Sequence, residues 1–530
     1  MAELQHPELG LIHGKANNGV IQFSGIKYAS LKHRFSTAEL HNGPGPSGET
    51  DATKIGAAAI AFPKGWEKEF ALVQQSVQVP DFPPQSDTEC LNLTITVPEA
   101  SFEKPLPVFV FVHGGAFFMG SGTWPQYDHA ALVRRSVEIG KPIIGVNINY
   151  RTGIFGFLTS EELRGAGIKP NNGLRDQRVA FQWVKKYIGG FNGSPEQICA
   201  MGQSAGGASA TLQLQSEEPL FHRLVDLSGT CLFIRPSPPS LHEIFYQNFC
   251  EAHGLTHLSG RERIAAIDNI DSQRLLLNTP PSVPALPVLD GDLLKSVSTF
   301  ENVESWNSPG EPPLEGLKWC KELFIGDCQF DGNILQFSLG HRQCGIAKEI
   351  EESLQRNLPL CEKSVIDSLL EAYGISNAKD DQAAYIAVLE LGNDITAYLP
   401  VESFARNWPG TAYTYHLNEP NPWDGPFKGY AIHIFDVALL FKNYDHALTQ
   451  PVKAVGQAFG DSVISFISGE TPWDSTGHRP LAYVFGGQGG SRLVEDTPIQ
   501  VGRRDVLFRY KNTIGFDNLN EAFVAFLNGR

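Results

Sequence analysis

Only eight of the 530 residues are cysteine, and no two sit at a close, metal-binding spacing. Cys320 and Cys328 are eight apart, and Cys199 lies inside an apolar run. This usage points to free thiols in a reducing compartment rather than a disulfide framework or a zinc site. Basic residues are in the minority: 42 Lys and Arg face 58 Asp and Glu, a net charge of −16. That balance argues against nucleic acid and anionic membranes as partners. No apolar run reaches membrane-spanning length. Residues Met1 to Glu8 show neither a basic nor an apolar leader region, and Phe526 to Arg530 carry no retention or peroxisomal address. A cytoplasmic location is therefore expected. A glycosylation sequon at Asn92-Leu93-Thr94 is expected to be inert there. No internal repeat and no long linker is visible. At 42% hydrophobic and 19% charged, the chain has the composition of a soluble globular protein.

What is present centres on Ile198-Cys199-Ala200-Met201-Gly202-Gln203-Ser204-Ala205-Gly206-Gly207. An apolar run ends in Gly-x-Ser-x-Gly and continues into small residues and Ala210, Leu212 and Leu214. This predicts strand, sharp turn, helix. The flanking glycines let a serine stand at a strained turn without a Cβ collision. The following helix aims its N-terminus at that serine.

Other segments supply the frame. Asn17-Asn18-Gly19 between two apolar stretches predicts an N-terminal hairpin. Residues 36–88, rich in Gly, Pro, Ser and Thr, predict irregular surface cover. Strands are expected at 91–97, 107–112, 143–150, 198–203, 224–228, 323–326 and 411–416, with a last one at 505–510. The run Val108 to Val112 is continuously apolar, as a strand buried on both faces must be. Helices are expected over about 127–139, 175–188, 345–408 and 518–528, and over a long stripe from Val452 to Ile467. Strands alternating with helices imply an α/β fold with a large, mainly parallel central sheet flanked by helices. Residues 1–530 read as one domain. Segments 232–320 and 345–408 read as cap-like helical insertions over the site.

A serine is a weak nucleophile unless a base takes its proton. In one class of sheet-based serine hydrolases the order along the chain is serine, acid, histidine. Of the 15 histidines, His433 is the leading base candidate, in a loop before Leu439-Leu440-Phe441. His416 and His446 are alternatives. For the acid, Asp331 follows a strand end, and Asp327 is its rival. Oxyanion donors would be the backbone N–H groups of Ala205 and of His113-Gly114-Gly115-Ala116, where glycines permit close approach to a ligand.

With these residues assembled, the chain resembles the type B carboxylesterase and cholinesterase-like family of α/β-hydrolases over nearly its whole length. The resemblance rests on Phe23-Ser24-Gly25-Ile26-Lys27-Tyr28-Ala29, Glu89-Cys90-Leu91-Asn92-Leu93, Asn149-Tyr150-Arg151 with Gly156-Phe157-Leu158, Asn172 to Gln177, and Gly202-Gln203-Ser204-Ala205-Gly206-Gly207. It implies an α/β-hydrolase fold, with Ser204 as nucleophile, Asp331 rather than Asp327 as acid, and His433 as base. Gly115, Ala116 and Ala205 would form the oxyanion hole, supported by Gly114 and Ser228. Aspartate stands where the family often has glutamate, so the backbone must bring it closer. The resemblance departs at two further points. Cys90 has no earlier cysteine to pair with, and Gln203 stands where cholinesterases have glutamate. No tryptophan lies in 70–88 to offer choline a cation–π surface, so choline esters are not expected as substrates.

The function implied is a serine carboxylesterase acting through an acyl-enzyme on an apolar or natural-product ester. No metal or organic cofactor is implied. The expected partner is a small-molecule ester met by a monomer or homodimer. Phe117, Phe118 and Phe330 are expected to line the acyl pocket. The same residues would equally serve a lactonase, a thioesterase or an acyltransferase. A non-catalytic esterase-like binding protein is a remote alternative, because serine, acid and base are all in place.

Overall fold

The computed structural model describes residues 2–43, 48–308, 310, 312–473, 481–495 and 502–530. Part of the expected cover segment, 44–47, lies outside them, as do residues 309 and 311 of the expected insertion. The strands of the main sheet are β1 (Ala2–His6), β2 (Gly10–Asn17), β3 (Val20–Lys27), β4 (Glu49–Asp51), β5 (Asn92–Pro98), β6 (Leu106–Val112), β7 (Ile144–Ile148), β8 (Gly193–Gln203), β9 (Arg223–Leu227), β10 (Glu322–Cys328), β11 (Thr411–Leu417), β12 (Leu481–Phe485) and β13 (Arg492–Glu495). They form a sheet in the order β1-β2-β3-β5-β7-β6-β8-β9-β10-β11-β12-β13, with β4 beside β2.

From β7 to β12 every neighbouring pair is parallel. The N-terminal strands and β13 add antiparallel edges. The turn between β2 and β3 is Asn18-Gly19, with φ of 48° and 86°. Two consecutive positive φ values are what a two-residue hairpin turn requires, and they explain the Asn-Gly pair.

The parallel centre is buried on both faces. Val108 to Val112 and Ile198 to Met201 are nearly inaccessible. Helix Asn172–Tyr187 covers one face with Leu174, Phe181, Trp183 and Val184 buried. Its Asp176 takes a two-pronged ion pair from Arg151, at 2.8 Å to Nε and 2.6 Å to a terminal nitrogen, with both side chains inaccessible. The remaining Arg151 amine donates to the carbonyls of Ser36 and Arg34. This ties the segment after β7 to the N-terminal region.

Segment 232–320 contributes helix Pro239–Ala252 and four shorter ones. Tyr246, Phe249, Leu275 and Val283 pack with Phe35, Ile154 and Phe155 in a cluster of their own. Segment 345–408 is helical, as expected, but contains a π-turn at Asp394–Tyr398 between Asp381–Asn393 and Leu399–Asn407. Asn92 of the sequon is buried, and its amide donates to the Ala57 carbonyl at 2.7 Å. All eight cysteines are unpaired. Among the described residues no helix is long and apolar enough to cross a membrane.

Two elements differ from the sequence reading. Residues 505–510 do not extend the sheet: Asp505–Arg509 is a helix, with Val506 and Leu507 buried and Asp505 in its first turn. The apolar run Val506-Leu507-Phe508 is too short for periodicity to separate the two states. The cover segment 36–88 is not wholly irregular. It holds helix Gly65–Val73, whose buried Glu69, Phe70, Leu72 and Val73 form one stripe. The flanking Pro63 and Gly65 obscured that stripe in sequence.

Candidate active site

Strand β8 ends at Gln203, and Ser204 takes φ 54° and ψ −122°, outside the ordinary range for a side-chain-bearing residue. Its backbone N–H donates to the Leu227 carbonyl at 2.9 Å, and its carbonyl accepts from Ala208. The turn is thus held between β9 and the first turn of helix Ala205–Leu212. Ser204 stands at that helix's N-terminus, where partial positive charge favours an anion. Among the described residues its hydroxyl makes no hydrogen bond, and Ser204 lines the cleft described below.

The candidate acid and base come from the segments beyond β10 and β11. Beyond those strands the pairing resumes at one parallel bridge, Phe330 with Ile432, and Phe330 N–H donates to the Ala431 carbonyl at 2.8 Å. One residue on in each segment stand Asp331 and His433. Asp331 Oδ1 lies 2.5 Å from His433 Nδ1, and Asp331 Oδ2 accepts from Cys328 N–H at 2.8 Å. The carboxylate makes Nδ1 the protonated ring nitrogen and leaves Nε2 as an acceptor. Asn333 Oδ1 holds the His433 backbone N–H at 2.9 Å. Ile434 then turns through φ 73° into helix Phe435–Phe441. Burial pushes the Asp331 carboxyl up to about 6, against the lowering pull of His433. His433 Nε2 has Gln203 Nε2 at 3.1 Å.

The rival candidates pair with each other. Asp327 and His416 are register partners on β10 and β11, and His416 Nδ1 lies 2.5 Å from Asp327 Oδ1. His446 sits in the short turn Asp445–Ala447, away from this group. Asp436 does not touch the base: it accepts from Tyr415 OH at 2.7 Å and from Val437 N–H at 2.8 Å.

The segment after β6 turns sharply, with φ of 106°, 54° and 60° at Gly115, Ala116 and Phe117. His113 stacks on Tyr150 at 4.3 Å, and Tyr150 OH donates to the His113 carbonyl. Burial lowers His113 to about 4, so it is neutral in the working range. Among the described residues no hydrogen bond uses the backbone N–H of Gly115, Ala116 or Ala205. Ser228, at φ 55°, presents a buried hydroxyl with no partner.

Two spaces meet at Ser204 and His433. One is a cleft of about 770 Å³ walled by Leu72, Phe118, Met119, Phe233, Leu286 and Phe337. The other is a chamber of about 70 Å³ walled by Ser228, Gly229, Phe233, Ile334, Thr396 and Ala397. The π-turn of segment 345–408 supplies the last two. Of the three expected pocket phenylalanines only Phe118 lines the cleft. Phe117 is fully buried because its positive φ turns the ring inward onto Phe157. Phe330 is buried against Phe427 and Tyr430, on the far side of the bridge it anchors.

Sequence reasoning did not find Glu69. It is buried in the cleft wall on the helix hidden within the cover segment. Gln126 and Tyr127 donate to its two oxygens at 2.9 and 2.7 Å, and burial raises its carboxyl. A lone glutamate beside Phe70 and Leu72 carries no sequence signal beyond its place on an apolar stripe.

A family model described as the carboxylesterase family matches residues 3–483. Lipase 3 of Yarrowia lipolytica is 28% identical over 502 residues, covering 89% of each chain. A para-nitrobenzyl esterase of Bacillus subtilis is 34% identical over 230 residues, 42% of each chain. Among solved structures, a PNB esterase superposes with a TM-score of 0.74 at 21% identity, covering 96% of this chain and 99% of that one. A carboxylesterase of Geobacillus stearothermophilus gives 0.73 at 22%, covering 95% and 99%. The structural likenesses speak to the fold, and the family model to descent across most of the length. The chain belongs to the carboxylesterase family, with the α/β-hydrolase fold, and is a carboxylic ester hydrolase.

Proposed function

We propose that Ser204, His433 and Asp331 form the catalytic triad of a serine carboxylesterase acting on a small apolar ester. The observation that carries this reading is the 2.5 Å Asp331–His433 pair set beside a strained, unpartnered serine on the wall of an apolar cleft. Ser204 Oγ attacks the ester carbonyl while His433 Nε2 takes its proton. The N–H groups of Gly115, Ala116 and Ala205 receive the oxyanion. His433 then protonates the leaving alcohol. Water, with His433 again as base, releases the acid from the acyl-serine. The six buried thiols fit a cytoplasmic setting.

Chain length tests the reading. The cleft accepts a long group and the chamber only a few carbons. p-Nitrophenyl acetate, butyrate and octanoate should all be hydrolysed. Phe118→Ala should raise KM for the octanoate about 5- to 10-fold relative to the acetate, as expected for lost contact with one aromatic wall. Phe330→Ala should leave that ratio unchanged and lower the thermal midpoint instead. A chain-length profile that ignores Phe118 would remove the cleft from the reading. A wild type that is labelled by a fluorophosphonate but inert to all three esters would move it toward a lactonase or acyltransferase.

The acid supplies a pH prediction. Asp331 must be ionised to hold the Nδ1 proton, so kcat/KM should fall about tenfold per pH unit below about 6. The stability sign is opposite. A carboxyl raised in the fold stabilises the protonated folded form, a contribution complete below its unfolded value and lost as pH rises through about 6. A pH–rate profile flat to pH 5 would contradict the assignment.

A further inference from the structure

We propose that Gln203 is a positioning residue that occupies His433 Nε2 in the resting enzyme and must release it before Ser204 can be activated. The inference rests on the triad reading above and adds a regulated step to it. With Nδ1–H committed to Asp331, Nε2 carries a single lone pair. In this structure that lone pair faces the Gln203 amide nitrogen, donor to acceptor, at 3.1 Å. The Ser204 hydroxyl, the group that needs the same lone pair, has no partner.

Gln203 is not a surface side chain that drifted into contact. It is fully buried, and its Oε1 is also buried with no hydrogen-bond partner. A buried amide oxygen left unsatisfied is costly, so the contact with His433 carries the side chain's placement. The oxyanion-side loop is shaped to admit it: a Cβ at residue 114 would lie 2.3 Å from Gln203 Oε1. The residue before the nucleophile therefore reaches across to the base, 230 positions later. Gln203 borders the cleft beside Ser204, and an ester bound there would compete with its amide for the neighbourhood of Nε2.

Two donors competing for one acceptor lower the fraction of enzyme in which Ser204 is hydrogen-bonded to its base. Removing the competitor without changing the side chain's length should raise that fraction. Gln203→Met keeps the shape and removes the donor. Gln203→Glu replaces the donor by an acceptor and a charge that favours the protonated histidine. The other ionisable groups around His433 are Asp331 at Nδ1, with Glu69 and Asp436 further off, and all stay in place.

The test is fluorophosphonate labelling of Ser204 and the pH profile of p-nitrophenyl butyrate hydrolysis in wild type and both variants. Gln203→Met should label about 3- to 10-fold faster than wild type at pH 7.5, the population a net hydrogen bond of ordinary strength holds back. Gln203→Glu should move the acid limb of kcat/KM upward by about one pH unit or more. Labelling of Gln203→Met at the wild-type rate or slower overturns the proposal. If that variant does not fold, an unmoved acid limb in Gln203→Glu overturns it alone. A wild type that neither labels nor hydrolyses would instead refute the triad reading on which the proposal stands.

Discussion

Ser204→Ala is expected to lower kcat/KM for p-nitrophenyl butyrate by about 10⁴-fold or more while leaving the fold intact. The hydroxyl is the only atom removed. It has no hydrogen-bond partner, so its loss orphans no buried donor or acceptor. The backbone N–H of residue 204 still donates to Leu227, and the carbonyl still accepts from Ala208. Alanine carries the same Cβ as serine, so the strain at φ 54° is unchanged. The thermal midpoint should therefore stay within a few degrees of wild type, and circular dichroism should superpose. Fluorophosphonate labelling should vanish. A small residual rate over buffer is consistent with the reading, because free N–H groups at Gly115, Ala116 and Ala205 can still polarise a bound carbonyl toward water. Hydrolysis at more than about a hundredth of the wild-type rate would mean that another group is the nucleophile.

Legibility in the sequence follows how local each requirement is. The elbow was readable because its demands are met within a few residues: a buried strand, a serine at positive φ, and glycines on both sides. The parallel sheet was readable because β6 and the Ile198–Met201 stretch of β8 are apolar on both faces. The acid was different. Asp327 lies near the end of β10 and Asp331 just beyond it, while His416 lies near the end of β11 and His433 in the segment that follows. The resemblance favours Asp331, but the residues alone leave both open, and the strand register separates them. It puts Asp327 directly opposite His416, where the two satisfy each other, and carries Asp331 past the strand end to the bridge that meets His433. No residue in either segment announces that four-residue difference.

The pocket was the least legible part. Which phenylalanine faces the cleft depends on a backbone reversal at residue 117 and on the far side of a bridge at 330, and neither is a property of composition. The helix carrying Glu69 and Leu72 was hidden for a related reason. Its apolar stripe is two turns long and is bounded by proline and glycine, so the flanks outweighed the period.

Gly206→Ala should cost the protein its fold, and the contrast with a second glycine makes the cause testable. A Cβ on residue 206 would lie 1.9 Å from the Val112 carbonyl oxygen, 2.7 Å from the Val112 carbonyl carbon and 2.9 Å from the His113 carbonyl oxygen. All three are backbone atoms, so no rotamer change relieves the overlap. Either helix Ala205–Leu212 lifts from the sheet or the end of β6 bends away. The first option displaces Ser204, which is continuous with that helix. The second displaces Gly115 and Ala116, which follow His113 within three residues. Ser204 and the Gly115–Ala116 turn are thus set against each other by one contact that only a hydrogen atom can fill. The expected loss is about 4 kcal/mol or more, seen as failure to accumulate soluble protein or as a large fall in thermal midpoint. Gly165→Ala is the control. Gly165 ends helix Glu161–Gly165 with open space around its Cα. There alanine should be neutral or stabilising by up to about 1 kcal/mol through its better helix propensity. If Gly206→Ala were as stable and active as Gly165→Ala, the close approach of the elbow helix to β6 could not be what positions Ser204. The strain at that serine would then need another source.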